Sequence, residues 1–184
     1  MKKLILLTMA LIMLTGSCMA AQRFIAVREN RPEDVREVNY YLENGGKIII
    51  NEWAKVGAHC EINSVKKVEI GRDVSMAKGV IIVDNNSHPI CPADRQYMAH
   101  TPHGSLERSS QYGTNAPVHI GNNVWIGSYS RICKGVTIGD NSIIGANSVV
   151  THDVPANCIA VGNPARIVKE HIDEFTSPIF PINK

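Results

Sequence analysis

Residues 120–155 read IGNNVW IGSYSR ICKGVT IGDNSI IGANSV VTHDVP. An aliphatic side chain recurs at every sixth position: Ile120, Ile126, Ile132, Ile138, Ile144 and Val150. Glycine follows it at Gly121, Gly127, Gly139 and Gly145, while Cys133 and Thr151 interrupt that rule. Four places after each aliphatic stands a small or β-branched residue: Val124, Ser130, Val136, Ser142, Ser148 and Val154. A period of six matches neither the 3.6 of a helix nor the 2 of a strand. It matches a short strand and a turn, repeated, with the aliphatic directed each time into one core. Glycine in the next position fits a turn that needs either an unusual backbone angle or the close approach of another backbone. Hexapeptide periodicity of this kind predicts a parallel β-helix.

Upstream, Ile50, Val56, Ile62 and Val68 keep the period. The phase then slips by two at Lys66 and Lys67 and resumes at Ile70, Met76 and Ile82, which predicts a bulge between Ser64 and Lys67. From residue 83 to residue 117 the period disappears into a polar stretch rich in turn formers. This loop must leave the solenoid and return to it, and a long loop inside a compact domain is commonly functional. Ahead of the coils, Asn30-Arg31-Pro32 opens a predicted helix through Leu42, with proline in its first turn and Gly45-Gly46 as the stop. It would cap the open end of the solenoid, as repeat proteins require. Behind the coils, Asn163 caps and Pro164 starts a second predicted helix, to Phe175, followed by a proline-rich tail. The expected organisation of the 184 residues is one domain in four parts. These are a signal-like segment 1–21, a helical segment 22–46, a solenoid 47–163 with the extruded loop 83–117, and a helix and tail 164–184.

The formal net charge of +2 does not point to nucleic acid or to an acidic partner. Five cysteines, an odd number without regular spacing, do not form a disulfide framework. Cys60 falls four places after Val56 and is expected as a small buried residue. At the N-terminus, Lys2 and Lys3, the apolar run Leu4 to Leu14 and Cys18-Met19-Ala20 read like a secretory signal. The run is shorter than the roughly 20 residues that a transmembrane helix needs. Three readings stay open: an export signal, an uncleaved segment touching a membrane through residues 4–14, and a start codon set too far upstream.

The strings NNVWIG, GVTIGDNSIIGANSVVTHDVP and VGNPARIV carry a resemblance. Over residues 47–170 the chain is similar to the hexapeptide-repeat acyltransferases, close to the maltose, galactoside and nodulation O-acetyltransferases. The resemblance implies an all-β fold, a left-handed parallel β-helix with three hexads per coil. It also implies a homotrimer with the active site between subunits, acetyl-CoA as donor, and no metal. In that family a loop at this place reaches over a neighbouring subunit and carries the catalytic histidine, which here is His88 in Asn85-Asn86-Ser87-His88-Pro89. The chemistry agrees. An alcohol is a poor nucleophile until a base takes its proton, and neutral histidine is suited to that task near pH 7. Asp84 is expected to orient the ring or to touch the acceptor, and Asn85 to bind acceptor beside it. Trp125 matches a family tryptophan near the reacting end. Backbone groups of Ser128 and Ala146 match positions that hold the pantetheine arm. Thr151, His152, Arg166 and Lys169 match the region that meets the adenine and phosphates, where a phosphate favours cations.

Cys91, three residues past His88, offers an acyl-enzyme route, but the resembling family transfers directly within a ternary complex. His100 and His103 are too few ligands for zinc, and the H-x4-H pair of the zinc-dependent hexapeptide carbonic anhydrases is absent. The expected activity is acetyl-CoA-dependent O-acetylation of a sugar or polysaccharide precursor. The alternatives are a xenobiotic O-acetyltransferase and a non-catalytic exported trimer that binds through its loop. The CoA requirement points to the cytoplasm, and residues 1–21 point to export.

Overall fold

The structure, a computed structural model, describes residues 22–25, 39–43 and 45–175. The signal-like segment and the tail from residue 176 lie outside them. Two strands precede the coils, β1 (Gln22–Ile25) and β2 (Asn39–Leu42). Each hexad then gives one short strand and one corner, and three hexads close a coil. Coil one is β3 (Lys47–Ile50), β4 (Lys55–Val56) and β5 (Glu61–Ser64). Coil two is β6 (Lys67–Ile70), β7 (Ser75–Met76) and β8 (Ile81–Val83). After the extruded loop come β9 (Val118–Ile120), β10 (Trp125–Ile126) and β11 (Arg131–Ile132). Coil four is β12 (Thr137–Ile138), β13 (Ile143–Ile144) and β14 (Val149–Val150), and β15 (Ile159–Gly162) and β16 (Ala165–Lys169) finish the stack.

Equivalent strands of successive coils pair in parallel, giving a left-handed β-helix with three faces. Face one is β3, β6, β9 and β12; face two runs from β4 through β7, β10 and β13 to β15; face three runs from β2 through β5, β8 and β11 to β14. The period-six aliphatics meet on the axis. Ile62, Ile70, Ile82, Ile120, Ile126, Ile132, Ile138 and Ile144 are each 0% exposed, and burying such a side chain contributes about 1.5–3 kcal/mol. The buried serines of the second register are satisfied, as enclosed hydroxyls must be. Ser130 Oγ donates to the Gly145 carbonyl at 2.8 Å and Ser142 Oγ to that of Pro155 at 2.6 Å. Cys60 is buried as expected, with its Sγ on the Ala77 carbonyl at 3.1 Å, and burial pushes its thiol above the ordinary range.

The glycines after the aliphatics serve close approach rather than backbone angle. A Cβ at Gly127 would lie 2.5 Å from the Ala146 nitrogen in the next coil. At the corner between faces one and two the left-handed angles fall at Asn123, Asn141 and Asn157 (φ 54, 61 and 58°). These asparagines stack into a ladder, Asn123 Nδ2 to Asn141 Oδ1 at 3.0 Å and Asn141 Nδ2 to Asn157 Oδ1 at 2.8 Å. Asparagine tolerates the left-handed region because its short polar side chain bonds locally.

Three expectations are corrected. The phase slip is not a strand bulge: Ile50 pairs with Ile70 and Ile120 with Ile138, so coil one carries 20 residues against 18, and the two extra residues widen the corner between β5 and β6. The N-terminal helix does not reach Leu42. Asn39–Leu42 is strand, held parallel to β5 and antiparallel to β1, because the edge of face three needs a partner; residues 26–38 lie outside the described residues. The C-terminal helix from Pro164 is absent among the described residues. Ala165–Lys169 doubles back as an antiparallel strand on β15, the β-branched Ile167 and Val168 favouring a strand that closes the edge of face two, and only a 3-10 turn follows at Ile172–Glu174. Within its polar, turn-rich stretch the extruded loop carries α1 (Pro92–His100) and two 3-10 turns.

Candidate active site

The loop leaves at the corner between faces three and one, and its neck is tied by consecutive residues. Asp84 is 0% exposed. Its Oδ2 accepts from the Ser64 hydroxyl at 2.7 Å and from the Lys66 and Lys67 amides at 2.8 Å each, and its Oδ1 accepts from the Val65 amide at 2.9 Å. Three successive amides turned towards one anion form a nest, and the wide corner of coil one is folded around this carboxylate. Asn85, also buried, donates from Nδ2 to Asn63 Oδ1 at 3.1 Å and to Asp84 Oδ1 at 3.2 Å. Its own Oδ1 accepts the Ser87 amide at 2.9 Å, an Asx turn. Ser87 then takes a left-handed φ of 63°, and the chain delivers His88 to the surface.

The returning strand closes the neck. The Asn86 amide donates to the Thr114 carbonyl and the Ala116 amide to that of Asp84, both at 2.9 Å. A Cβ at Gly113 would sit 3.1 Å from the Ser87 and His88 amides, a tight contact where the two segments touch. Further out, Arg108 Nη1 donates to the Met98 carbonyl at 2.8 Å and holds the end of α1. Glu43 Oε2 accepts from the Ser110 amide at 3.1 Å and ties the loop to the first coil's entrance. Among the described residues the exposed His88 imidazole forms no hydrogen bond or ion pair.

Asp84 and Asn85 are therefore corrected as acceptor ligands. Both are buried, and the polar atoms of both side chains are engaged within the chain, holding the loop that carries His88. Neither orients the ring directly. Sequence reading missed Ser64 to Lys67, Gly113 and Glu43 as parts of the site. The one signal was the two-residue slip facing an acid one coil later. Cys91 is exposed and shares no hydrogen bond with His88; His100 and His103 are exposed as well. No group of three or more His, Cys, Asp or Glu among the described residues is placed to hold a metal ion.

The residues expected to meet the donor lie elsewhere. Trp125 is 54% exposed on the outside of face two, in register with Ser75 and Ile143. Ser128 and Ala146 occupy equivalent places at the corner between faces two and three. Around them the amides of Gly127, Tyr129, Gly145 and Asn147 all bond along the stack, at 2.7 to 2.9 Å. The amides of Ser128 and Ala146 donate to nothing among the described residues, as do those of Ala58 and Lys78 at the same corner, so this corner carries a column of unengaged donors. The four residues expected at the adenine and phosphates divide into two groups. Thr151 and His152 bond to each other at 2.9 Å at the corner after face three. Arg166 and Lys169 are exposed on β16 at the end of face two, with Lys169 Nζ 5.2 Å from the Phe175 ring centroid.

In a three-sided prism the corner that carries His88 is opposite face two, which carries Trp125. His88 is four residues from its buried tie at Asp84, a reach of at most about 14 Å. One chain therefore presents the histidine and the face-two surface on opposite sides of its core.

A family model for bacterial transferase hexapeptides (six repeats) matches residues 117–152. The galactoside O-acetyltransferase of Escherichia coli (strain K12) is 36% identical over 129 residues, 65% of this chain and 61% of that relative. Among solved structures, a maltose O-acetyltransferase from Clostridium difficile 630 is 34% identical with a TM-score of 0.60, the match covering 79% of each chain. A hexapeptide-repeat acetyltransferase of Vibrio cholerae O1 biovar eltor, solved with acetyl coenzyme A, is 28% identical with a TM-score of 0.57, over 71% of this chain and 64% of that one. The coil of hexads with its extruded histidine loop defines a class, the hexapeptide-repeat β-helix proteins. Within it, this chain belongs to the bacterial hexapeptide-repeat acyltransferase family. It spans 61% of the length of the galactoside relative.

Proposed function

We propose that the protein is an acetyl-CoA-dependent O-acetyltransferase that acts on a hydroxyl of a sugar or polysaccharide precursor. The observation that carries this reading is the pair of unengaged amides at Ser128 and Ala146, stacked at one corner as an extended amide-bearing arm requires. The Vibrio cholerae relative solved with acetyl coenzyme A and the sugar acetyltransferases among the relatives support the donor and the acceptor class. His88 takes the proton of the acceptor hydroxyl as its oxygen attacks the thioester carbonyl. The tetrahedral intermediate collapses with loss of the CoA thiolate, which receives that proton from the imidazolium, leaving an ester and free CoA. A backbone N–H stabilises the oxyanion. Trp125 packs near the thioester. Thr151 and His152 on one side and Arg166 and Lys169 on the other meet the adenine and phosphates. Because His88 and face two lie on opposite sides of one chain, a second copy supplies the other half of the site, in a homotrimer.

The test is thiol release from acetyl-CoA in the presence of maltose, a nitrophenyl galactoside, a sialic acid oligomer or an antibiotic alcohol. The expected result is thiol release that depends on a saccharide and yields an ester labile to hydroxylamine. Turnover on the antibiotic alone would overturn the acceptor class. A folded protein that neither binds nor consumes acetyl-CoA would overturn the activity.

A further inference from the structure

We propose that Asp84 is the positioning residue of the site, acting on His88 through the loop neck and not through contact with ring or substrate. This rests on the reading of His88 as the base. Four observations converge on it. The carboxylate is fully buried and receives four donors from Ser64 to Lys67. Those donors belong to the corner from Ile62 to Ile70, two residues longer than the equivalent corner from Ile132 to Ile138, so the corner and the acid fit each other. The backbone of the same residue closes the neck from both sides: its carbonyl accepts from Ala116 at 2.9 Å and its amide donates to Asn63 at 3.3 Å. From there only Asn85, Asn86 and Ser87 intervene before His88, and the first of them is locked by Asn63, Asp84 and Ser87.

Chemically, the tie needs an anion. A carboxylate presents two acceptor oxygens to the four donors of Ser64 to Lys67 and to the side-chain amide of Asn85. The amide of an asparagine would turn an NH2 towards an N–H, and at least one backbone amide of the nest would lose its acceptor. The neck would then open while the coils beyond it, held by their own parallel ladders, stay closed. A general base must lie within about 3 Å of the proton it takes, and a displacement of about 1 Å costs about a hundredfold in rate. The donor amides at Ser128 and Ala146 are at another corner and would be unaffected.

The experiment compares full-length wild type with Asp84→Asn by hydrogen–deuterium exchange and by turnover on the saccharide that the wild type accepts. Amides of residues 85–88 and 113–116 are expected to exchange at least tenfold faster in the variant, with residues 126–150 unchanged. Turnover is expected to fall about a hundredfold, with KM for acetyl-CoA held within about twofold. Unchanged neck exchange, or neck and coil exchange rising together with loss of acetyl-CoA binding, would overturn the inference. If Asp84→Asn fails to fold, Ser64→Ala removes one of the four donors and keeps the carboxylate. It must show the same selective exchange at smaller amplitude, and wild-type neck exchange there counts against the tie. His88→Ala separates the two levels. An active His88→Ala protein removes the base itself, whereas an inactive one beside a wild-type-like Asp84→Asn removes only the positioning role.

Discussion

Coils three and four and coils one and two follow the same period but are held differently. In the later pair the hexads that begin at Ile120 and Ile138 carry their own means of stacking. An isoleucine fills the axis, a glycine lets the next backbone approach, and an asparagine two places on takes the left-handed turn and bonds to its counterpart above. In the earlier pair these features thin out. Trp53, 75% exposed, takes the left-handed position at φ 63° where later coils have asparagine. The third corner of coil one is closed by an acid from coil two. The regular region needs only neighbours one coil away and one hexad in kind. The irregular region depends on individual long-range contacts, and the candidate catalytic loop leaves from there.

This comparison can be broken most strongly in the core of the regular half. Ile132→Ala should destabilise the protein by about 2–5 kcal/mol, since a cavity on the axis is lined by coils on both sides and collapses poorly. Denaturant titration would read it, and a loss below about 1 kcal/mol would mean that the axial stack does not dominate. Ser142→Ala tests the polar register at a smaller scale. Its hydroxyl donates to Pro155 and accepts from the Cys158 amide at 3.2 Å, so removal strands a buried N–H and should cost about 1–3 kcal/mol. A neutral result there would show that the serines are fillers. The smallest effect, and opposite in sign, is Trp53→Asn. Placing asparagine at the left-handed turn of coil one should gain up to about 1 kcal/mol, which raises Tm by about 2–4 °C in a chain of this size. A drop in Tm would mean that the exposed indole packs on something that stabilises the fold.

The solenoid was legible because period six is a packing rule. Each repetition from Ile120 to Val150 places a side chain on the same axis, and Cys60 could be assigned to the small-residue register beside it by counting four from Val56. His88 was found through resemblance alone; nothing periodic marks it. The role of Asp84 was not legible, because its four donors are 17 to 20 residues away and their convergence depends on a corner whose width the slip hinted at without explaining. Asn39–Leu42, expected as the end of a helix, and the C-terminal helix were misread for a related reason. Proline, asparagine and glycine mark helix ends by local rules, but Asn39–Leu42 and Ala165–Lys169 each lie beside an open sheet edge, and edge pairing overrides local preference. The separation of His88 from Trp125 follows only from counting faces, which requires knowing how many hexads close a coil.

The most direct measurement is calorimetric titration of acetyl-CoA into the wild-type protein and His88→Ala, paired with turnover of each on the accepted saccharide. The expected result is one dissociation constant for both within about twofold, with turnover of the variant lower by about 10²–10⁴-fold, the usual contribution of a general base. Wild-type turnover in His88→Ala, or acetyl-CoA that fails to bind the folded wild type, would contradict direct transfer from a corner-bound donor to a hydroxyl activated by the loop histidine.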